Sequence, residues 1–278
     1  MFYRIFLLAT LLLFVTALHS QELYVFTEPA SNLPARSVSA KLTARYSRNE
    51  ATGSFAQRYN PELMAGLSRK LQVKLGTSFS DFYTPGLRWE SLKGGVKWRF
   101  LSNDGIHRHF RMAAFADAAY SRNDMVYDEM NLDGDNSGLQ AGVIATQLLG
   151  RLALSGTASY MRVWDEKFQQ QAHAGLHDQN SINASVSAGF LVFPFQNDDY
   201  NKVNGNIYVE ALGAKGLEKG LYYFDLAPAF QLIFSSRTKL NLGARFQAAG
   251  NMQRLARNSW FIGVETSFLQ AWKQRKKE

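Results

Sequence analysis

The chain has 278 residues, no cysteine and a formal net charge of +8 at pH 7. The absence of cysteine excludes a disulfide framework. The positive charge is not accompanied by a basic helix or a recognition motif, which argues against a nucleic-acid-binding protein.

The first twenty residues have the pattern of a secretory signal peptide. Arg4 supplies an early positive charge, residues 5–18 are apolar, and Ser20 is a small residue after which a signal peptidase can cut. The alternative is an uncleaved anchor, but the apolar stretch is shorter than the roughly 20 residues that a spanning helix needs. No later apolar run is long enough either, so the mature chain is predicted to lack a transmembrane helix.

Residues 21–36 follow the signal peptide and show no strand-like alternation. They contain Pro29 and Pro34, and both prolines disfavour a regular strand. We predict a periplasmic N-terminal segment that either leads into the folded domain or folds back into it as a small plug.

From residue 37 onward, apolar and polar residues alternate repeatedly with a period of two. Most of these segments are near the ~9 to 11 residues with which a strand crosses a bilayer at a tilt. The pattern predicts an all-β protein, a single closed antiparallel transmembrane β-barrel of 12 strands over residues 37–269, followed by a basic C-terminal tail at 270–278. The predicted strands are 37–46, 61–68, 71–80, 91–100, 110–120, 138–148, 151–163, 181–193, 203–213, 221–234, 239–248 and 259–269.

Two strands are irregular in sequence. In the sixth, Leu139 and Val143 form one plausible outward face, but Ile144 and Leu148 on the opposite face are equally apolar. In the tenth, Pro228 lacks the N–H that a closed sheet would use, which predicts a bulge or break at that position.

Connections of different length alternate along the chain. Those after odd-numbered strands are mostly long and those after even-numbered strands mostly short, which is typical of outer-membrane barrels with long outer loops and periplasmic turns. Two of the expected turns, 101–109 and 194–202, are longer than this rule requires. The number of strands could therefore differ from twelve by one hairpin. The structural alternative is a soluble β-sandwich, which does not account for aromatic residues near so many strand ends.

The predicted inward faces carry an uneven distribution of charge. Strands 1 to 5 are mainly basic there, and strands 9 to 12 are mainly acidic. A basic wall opposite a weaker acidic wall would favour anionic or dipolar solutes, although the same charges could instead pair across the lumen and plug it. The predicted lumen-lining residues are Lys41, Arg45, Lys74, Lys93, Lys97, Arg99, Arg111, Asp117, Glu210, Asp225, Arg245 and Glu265.

The hairpin at Pro61–Leu71 reads P-E-L-M-A-G-L-S-R-K-L. Together with the signal peptide and the alternation, it resembles Gram-negative outer-membrane channel proteins, and is distantly similar to the transporter-like barrels related to the phenol-degradation outer-membrane family. The resemblance covers the mature chain. It implies passage of a solute across the outer membrane and transfers no catalytic residue.

Two clusters have features of metal sites. Asp133, Asp135 and Ser137 place oxygens at alternate positions around glycines, as at the start of a calcium loop, but the twelfth position is Ile144 rather than glutamate, and an ordinary polar loop is the favoured interpretation. His173 and His177 would come together in a helical turn but have no third firm ligand. No cofactor is therefore expected.

The sequence therefore favours an outer-membrane channel or uptake port for small solutes. The expected partners are outer-membrane lipid and the solute, with no nucleic acid. One alternative is an outer-membrane lipid hydrolase, for which His173, His177 and Asn180 lie at a suitable height but no serine nucleophile motif is present. Another alternative is a closed structural or surface-binding barrel.

Overall fold

The computed structural model describes residues 26–50, 53–105, 108–164, 177–194 and 203–272. The predicted signal peptide and most of the basic tail lie outside this range. Within it, no helix is long and apolar enough to cross a membrane. The strands are β1 Ser37–Arg48, β2 Phe55–Gly66, β3 Leu71–Ser80, β4 Arg88–Asp104, β5 Arg108–Ser121, β6 Ser137–Leu149, β7 Leu152–Trp164, β8 Asn180–Phe193, β9 Asn204–Gly216, β10 Tyr222–Phe234, β11 Thr238–Gly250 and β12 Asn258–Phe268.

The twelve strands form one closed antiparallel barrel. Each strand pairs with its neighbours in sequence, and β1 closes the sheet against β12 over a register that runs from Val38 opposite Phe268 to Ser47 opposite Ser259. Closure leaves no strand edge with unpaired backbone groups. The predicted fold class is confirmed.

The two ends of the barrel differ in their connections. One end, here called the turn end, carries the connections 67–70, 150–151 and 235–237, whereas the other, the loop end, carries longer ones such as 122–136, 165–179 and 251–257. The expected long turn at 101–109 was wrong, because β4 continues to Asp104 and β5 begins at Arg108.

Strand β2 begins at Phe55, six residues before its predicted start at Pro61. The predicted start was wrong because this proline lies within the strand and not at its beginning. Pro61 is opposite Leu42 on β1, whereas the register between β2 and β3 passes directly from Tyr59 to Glu62. Strand β10 is similar, since the pairs to β11 pass from Leu226 to Ala229 and skip Pro228, as its missing amide requires.

The alternation in the strands corresponds to an apolar outer surface and a polar interior. Leu42, Trp98, Val186 and Trp260 are among the exposed outward side chains, which is the arrangement that a lipid environment stabilises. Aromatic side chains pair on this surface, as where Trp89 stacks on Tyr120 with ring centroids 6.4 Å apart.

Strand β6 presents Leu139 and Val143 outward, whereas Ile144 and Leu148 are buried inside the barrel. Ile144 belongs to a small apolar cluster with Ala30, and Leu148 belongs to another against which Phe26 packs. The inward face of β6 is apolar because the chain that precedes β1 lies against it.

Candidate functional site: the barrel lumen

The segment before β1, residues 26–36, lies inside the barrel and is here called the N-terminal segment. Its backbone is held by side chains of the wall. The amide of Thr27 donates to the Glu210 carboxylate at 2.9 Å, and the amide of Ala30 donates to the Thr146 hydroxyl at 2.9 Å. Of the two arrangements considered from the sequence, these contacts are those of a plug.

One acidic side chain joins the N-terminal segment to the basic wall. The Glu28 carboxylate lies 2.6 Å from the Lys74 ammonium and 3.2 Å from that of Lys97. Burial would raise the pKa of Glu28, but the two ammonium groups outweigh it and hold this pKa well below its usual range. Glu28 is therefore ionised at neutral pH and neutralises part of the wall.

A second segment, the connection 122–136 between β5 and β6, folds into the lumen from the loop end and is here called the inner loop. It also places carboxylates on wall cations: Asp133 contacts Lys93, and Glu129 lies 3.2 Å from Arg245. Burial opposes ionisation of both acids, yet Lys93 lowers the pKa of Asp133, and the arginines around Glu129 lower its pKa to about 2.

Arg58 on β2 anchors the inner loop most firmly. Its side chain is only 1% exposed and donates to Glu90 at 2.9 Å and to Asp135 at 2.5 Å. The Tyr83 hydroxyl donates to the same Asp135 oxygen at 2.9 Å. At Gly134, φ is +135° and a Cβ would lie 2.8 Å from the Arg58 guanidinium carbon, so glycine is required for this approach.

Acidic and basic groups also pair on the opposite side of the lumen. Asp225, which is fully buried, lies 2.5 Å from Arg245 and 2.8 Å from Arg254. Arg254, from the connection 251–257, also lies 2.9 Å from Glu129 of the inner loop. The guanidinium groups of both arginines lie over the ring of Tyr223, which adds cation–π attraction.

A polar cavity of about 260 Å³ lies between the N-terminal segment and the inner loop. Its charged lining comes from both segments and from the wall. The acidic and basic residues that line it are Glu28, Arg45, Lys74, Lys93, Asp117, Glu129, Asp133 and Arg245.

Other predicted lumen residues lie away from this cavity. Lys41 is opposite both Glu62 and Glu265 in the register of β1, and Glu265 lies 2.9 Å from Lys239. Arg99 and Arg111 lie at the turn end: Arg99 donates to a carbonyl of the β2–β3 turn, and Arg111 contacts Asp104.

Sequence reasoning missed three of the cations, namely Arg58, Lys239 and Arg254. The predicted β2 began after Arg58, and Arg254 lies in a connection rather than a strand. Lys239 lies at the first predicted position of strand 11, on the same face as Arg245, so alternation alone was sufficient to find it.

The proposed metal ligands have other partners. Asp133 and Asp135 contact Lys93 and Arg58, and the Ser137 hydroxyl donates to the Ser121 carbonyl at 3.1 Å. His177 lies 2.8 Å from Asp128, whereas His173 lies outside the described residues. Within the described ranges, no group of three histidines or carboxylates is placed to hold a metal.

Asn180, named for a possible hydrolase, hydrogen-bonds Tyr160 and Glu218. These contacts place its side chain among polar groups at the start of β8. Neither partner is a histidine, the residue that the third member of a catalytic triad orients.

No protein-family model matches the chain, and no curated protein matches it. Among solved structures, it is similar to the COG4313 outer membrane channel from Pseudomonas putida F1, with 12% identity, a TM-score of 0.57 and coverage of 88% of this chain and 100% of that one. It is also similar to the β domain of the Bordetella autotransporter BrkA, with 13% identity, a TM-score of 0.50 and coverage of 83% and 98%.

A third similar structure is the KdgM porin, with 10% identity, a TM-score of 0.49 and coverage of 83% of this chain and 99% of that one. At these identities the likeness concerns the fold. The chain therefore has the fold of an outer-membrane β-barrel, with two segments of its own chain inside the lumen.

Proposed function

We propose that this protein is a gated outer-membrane channel or uptake port for small solutes, with a preference for anionic or dipolar ones. The observation that carries the proposal is the insertion of two segments into the lumen, each of which places at least one carboxylate on a lysine or arginine of the wall. The apolar outer surface suits lipid, and the polar interior suits a hydrated path.

The inserted segments provide the gate. Neither segment is held by a strand ladder. The inner loop is joined to the wall by the carboxylates of Glu129, Asp133 and Asp135, and its backbone adds single bonds such as that from the Asp128 amide to the Gln253 carbonyl at 2.9 Å. Release of such contacts leaves the barrel ladders intact, so a segment can move without unfolding the protein. When a segment leaves, the cations that it neutralised become available to a passing anion.

Conductance of the full mature chain in a planar bilayer tests this function. Glu28→Gln removes the charge that holds the N-terminal segment, and a hydrogen bond between charged groups contributes about 1.5–3 kcal/mol. We expect the ratio of open to closed time to rise by about tenfold or more. The matched control is Glu50→Gln. Glu50 is exposed and lies 3.9 Å from the exposed Arg257, and such a surface ion pair contributes little.

The alternative of a closed structural or surface-binding barrel predicts no conductance for either protein. A lipid hydrolase would instead release fatty acid from phospholipid vesicles. If neither the wild-type protein nor Glu28→Gln conducts in the bilayer although both are folded, the channel proposal is wrong.

A further inference from the structure

We propose that the cavity between the N-terminal segment and the inner loop is a binding site for a small hydroxylated monocarboxylate, with Arg45 as its carboxylate-binding residue. This inference rests on the proposed function and names the class of solute. Its elements are an unpaired guanidinium on one wall and a patch of unpaired polar groups on the opposite wall.

Arg45 differs from the other cations that line the cavity. Lys74, Lys93 and Arg245 are each in an ion pair with a carboxylate. Within the described part of the chain, Arg45 makes neither a hydrogen bond nor an ion pair, although it lines this cavity and a smaller one beside it. A guanidinium suits a carboxylate because its parallel N–H groups match the two oxygens.

The charge balance favours a ligand with a single negative charge. The carboxylates that line the cavity, Glu28, Asp117, Glu129 and Asp133, each contact a lysine or an arginine of the wall. The lining residues alone carry four positive and four negative charges, but Glu28 and Glu129 also contact Lys97 and Arg254, which do not line the cavity. With these two cations and Asp225, which pairs with Arg254, the described cluster has six positive and five negative charges, so one positive charge is left uncompensated. A monoanion would neutralise it, whereas a dianion would bring a further charge into a confined space, which is unfavourable.

The wall opposite Arg45 is uncharged and carries four polar side chains beside the apolar Met161 and Ala184. Strand β7 is the sixth neighbour of β1 around the barrel, so it lies diametrically across the lumen. There Thr157 is opposite Ser185 and Ser159 is opposite Asn183 in the β7–β8 register. All four side chains line the cavity, and they are here called the hydroxyl patch.

Several groups of the hydroxyl patch have no partner. The Thr157 and Ser185 hydroxyls make no hydrogen bond to any described residue, and the buried amide nitrogen of Asn183 is likewise unsatisfied. Hydroxyls both donate and accept, and an amide nitrogen donates. These groups match the hydroxyls of a polyol chain, so a solute with a carboxylate at one end and hydroxyls along its length satisfies both walls.

Calorimetric titration of the folded protein in detergent with gluconate tests the site at constant ionic strength. We expect one gluconate per chain, with acetate and glucose each binding at least about tenfold more weakly, because each satisfies only one wall. Inorganic phosphate at pH 8 should also bind more weakly. Failure of gluconate to bind, or equal binding of acetate and glucose, overturns the proposal.

Variants assign the two walls separately. Arg45→Gln should weaken gluconate and acetate alike by about tenfold or more, and Arg45→Lys should weaken them less, because it keeps the charge but loses the paired N–H groups. Asn183→Leu should weaken gluconate and leave acetate unchanged. Arg257→Gln, at an exposed arginine, is the matched control, and equal losses in Arg45→Gln and this control would refute the site.

Heat-modifiable migration on gels establishes that each variant is folded. If Arg45→Gln does not fold, the comparison of Arg45→Lys with Asn183→Leu still decides the outcome. The titration is independent of transport, so gluconate binding without bilayer conductance would contradict the channel and retain the site, whereas conductance without binding would contradict the site alone.

Discussion

The Glu28 carboxylate lies 2.6 Å from the ammonium group of Lys74, a residue 46 positions further along the chain. Lys74 also lies 3.1 Å from Asp117 on β5. Lys74 is on β3, so these two contacts join the N-terminal segment to β3 and β5, the two strands that flank β4. Because the contact lies in a partly dehydrated lumen, it is screened less than an ion pair on an exposed loop.

Acidification should release the inner loop only well below neutral pH. The pKa of Glu129 is lowered to about 2 where it is docked, because Arg254 and Arg245 outweigh the effect of burial, compared with about 4.3 when free in water. A lowered pKa means that docking is fully stabilised above the free value and loses that stabilisation as pH falls toward 2.

Single-channel open probability should therefore stay constant from about pH 7.5 to about pH 5 and rise below about pH 4. In Glu129→Gln, which carries no charge at this position, the open probability should be higher at neutral pH and its rise on acidification smaller. A steep change between pH 7 and pH 6 would contradict this account.

Much of the barrel was predictable because the alternation of apolar and polar residues within a strand depends only on which side chains face lipid and which face the lumen. Strand β3, for example, has the predicted bounds, since its outward Leu75 and inward Lys74 differ clearly. The contents of the lumen were not predictable in the same way. Contacts such as Asp133 to Lys93 join positions 40 residues apart and depend on how a connection folds.

One local signal did point to those contents. Both faces of β6 are apolar, with Ile144 on the inward face. An apolar inward face has no explanation in a barrel whose lumen contains only water. It is explained by Ala30, which packs on Ile144. An apolar inward stretch in a predicted barrel strand is therefore evidence for an inserted segment.

Arg58→Gln should destabilise the protein strongly. The substitution leaves Glu90, which is fully buried, and Asp135 without their shared cation. Removing one partner of a buried ion pair costs about 3–5 kcal/mol. Urea titration of the barrel in lipid vesicles measures this loss, and Arg257→Gln, as an exposed control, should change the free energy of unfolding by less than about 0.5 kcal/mol.

The two ends of the barrel should differ in accessibility on intact cells. A protease site inserted after Gly86 should be cleaved, because this glycine lies in the 81–87 connection at the loop end with no neighbouring atom near its Cβ position. The same insertion after Gly150, an equally open glycine at the turn end, should be protected. Cleavage at Gly150 alone would invert the proposed orientation.

Calcium should not bind the inner loop. Asp133 and Asp135 already neutralise Lys93 and Arg58, so a cation would have to displace both pairs. Proteolysis of residues 122–136 should therefore proceed equally in about 1 mM calcium and in chelator. Protection by calcium that is lost in Asp133→Ala would restore the calcium-loop interpretation.

Reversing one wall charge should change the ion preference of the open channel. Lys97 lies on the inward face of β4, 3.2 Å from Glu28, so Lys97→Glu alone would both repel Glu28 and alter the wall. In a Glu28→Gln background the first effect is absent. The added Lys97→Glu should then move the zero-current voltage in a salt gradient toward cation preference.

Glu265→Lys in the same background provides the opposite change. Glu265 is nine-tenths buried and pairs with Lys239 on the wall formed by β11 and β12, so a lysine there leaves two cations facing the lumen and should increase anion preference. Heat-modifiable migration on gels establishes that each protein is folded, since Glu265→Lys removes a buried ion pair and should lower the stability of the barrel. If the channel conducts and neither reversal moves the zero-current voltage, the wall charges do not face the conducting path and do not set its selectivity.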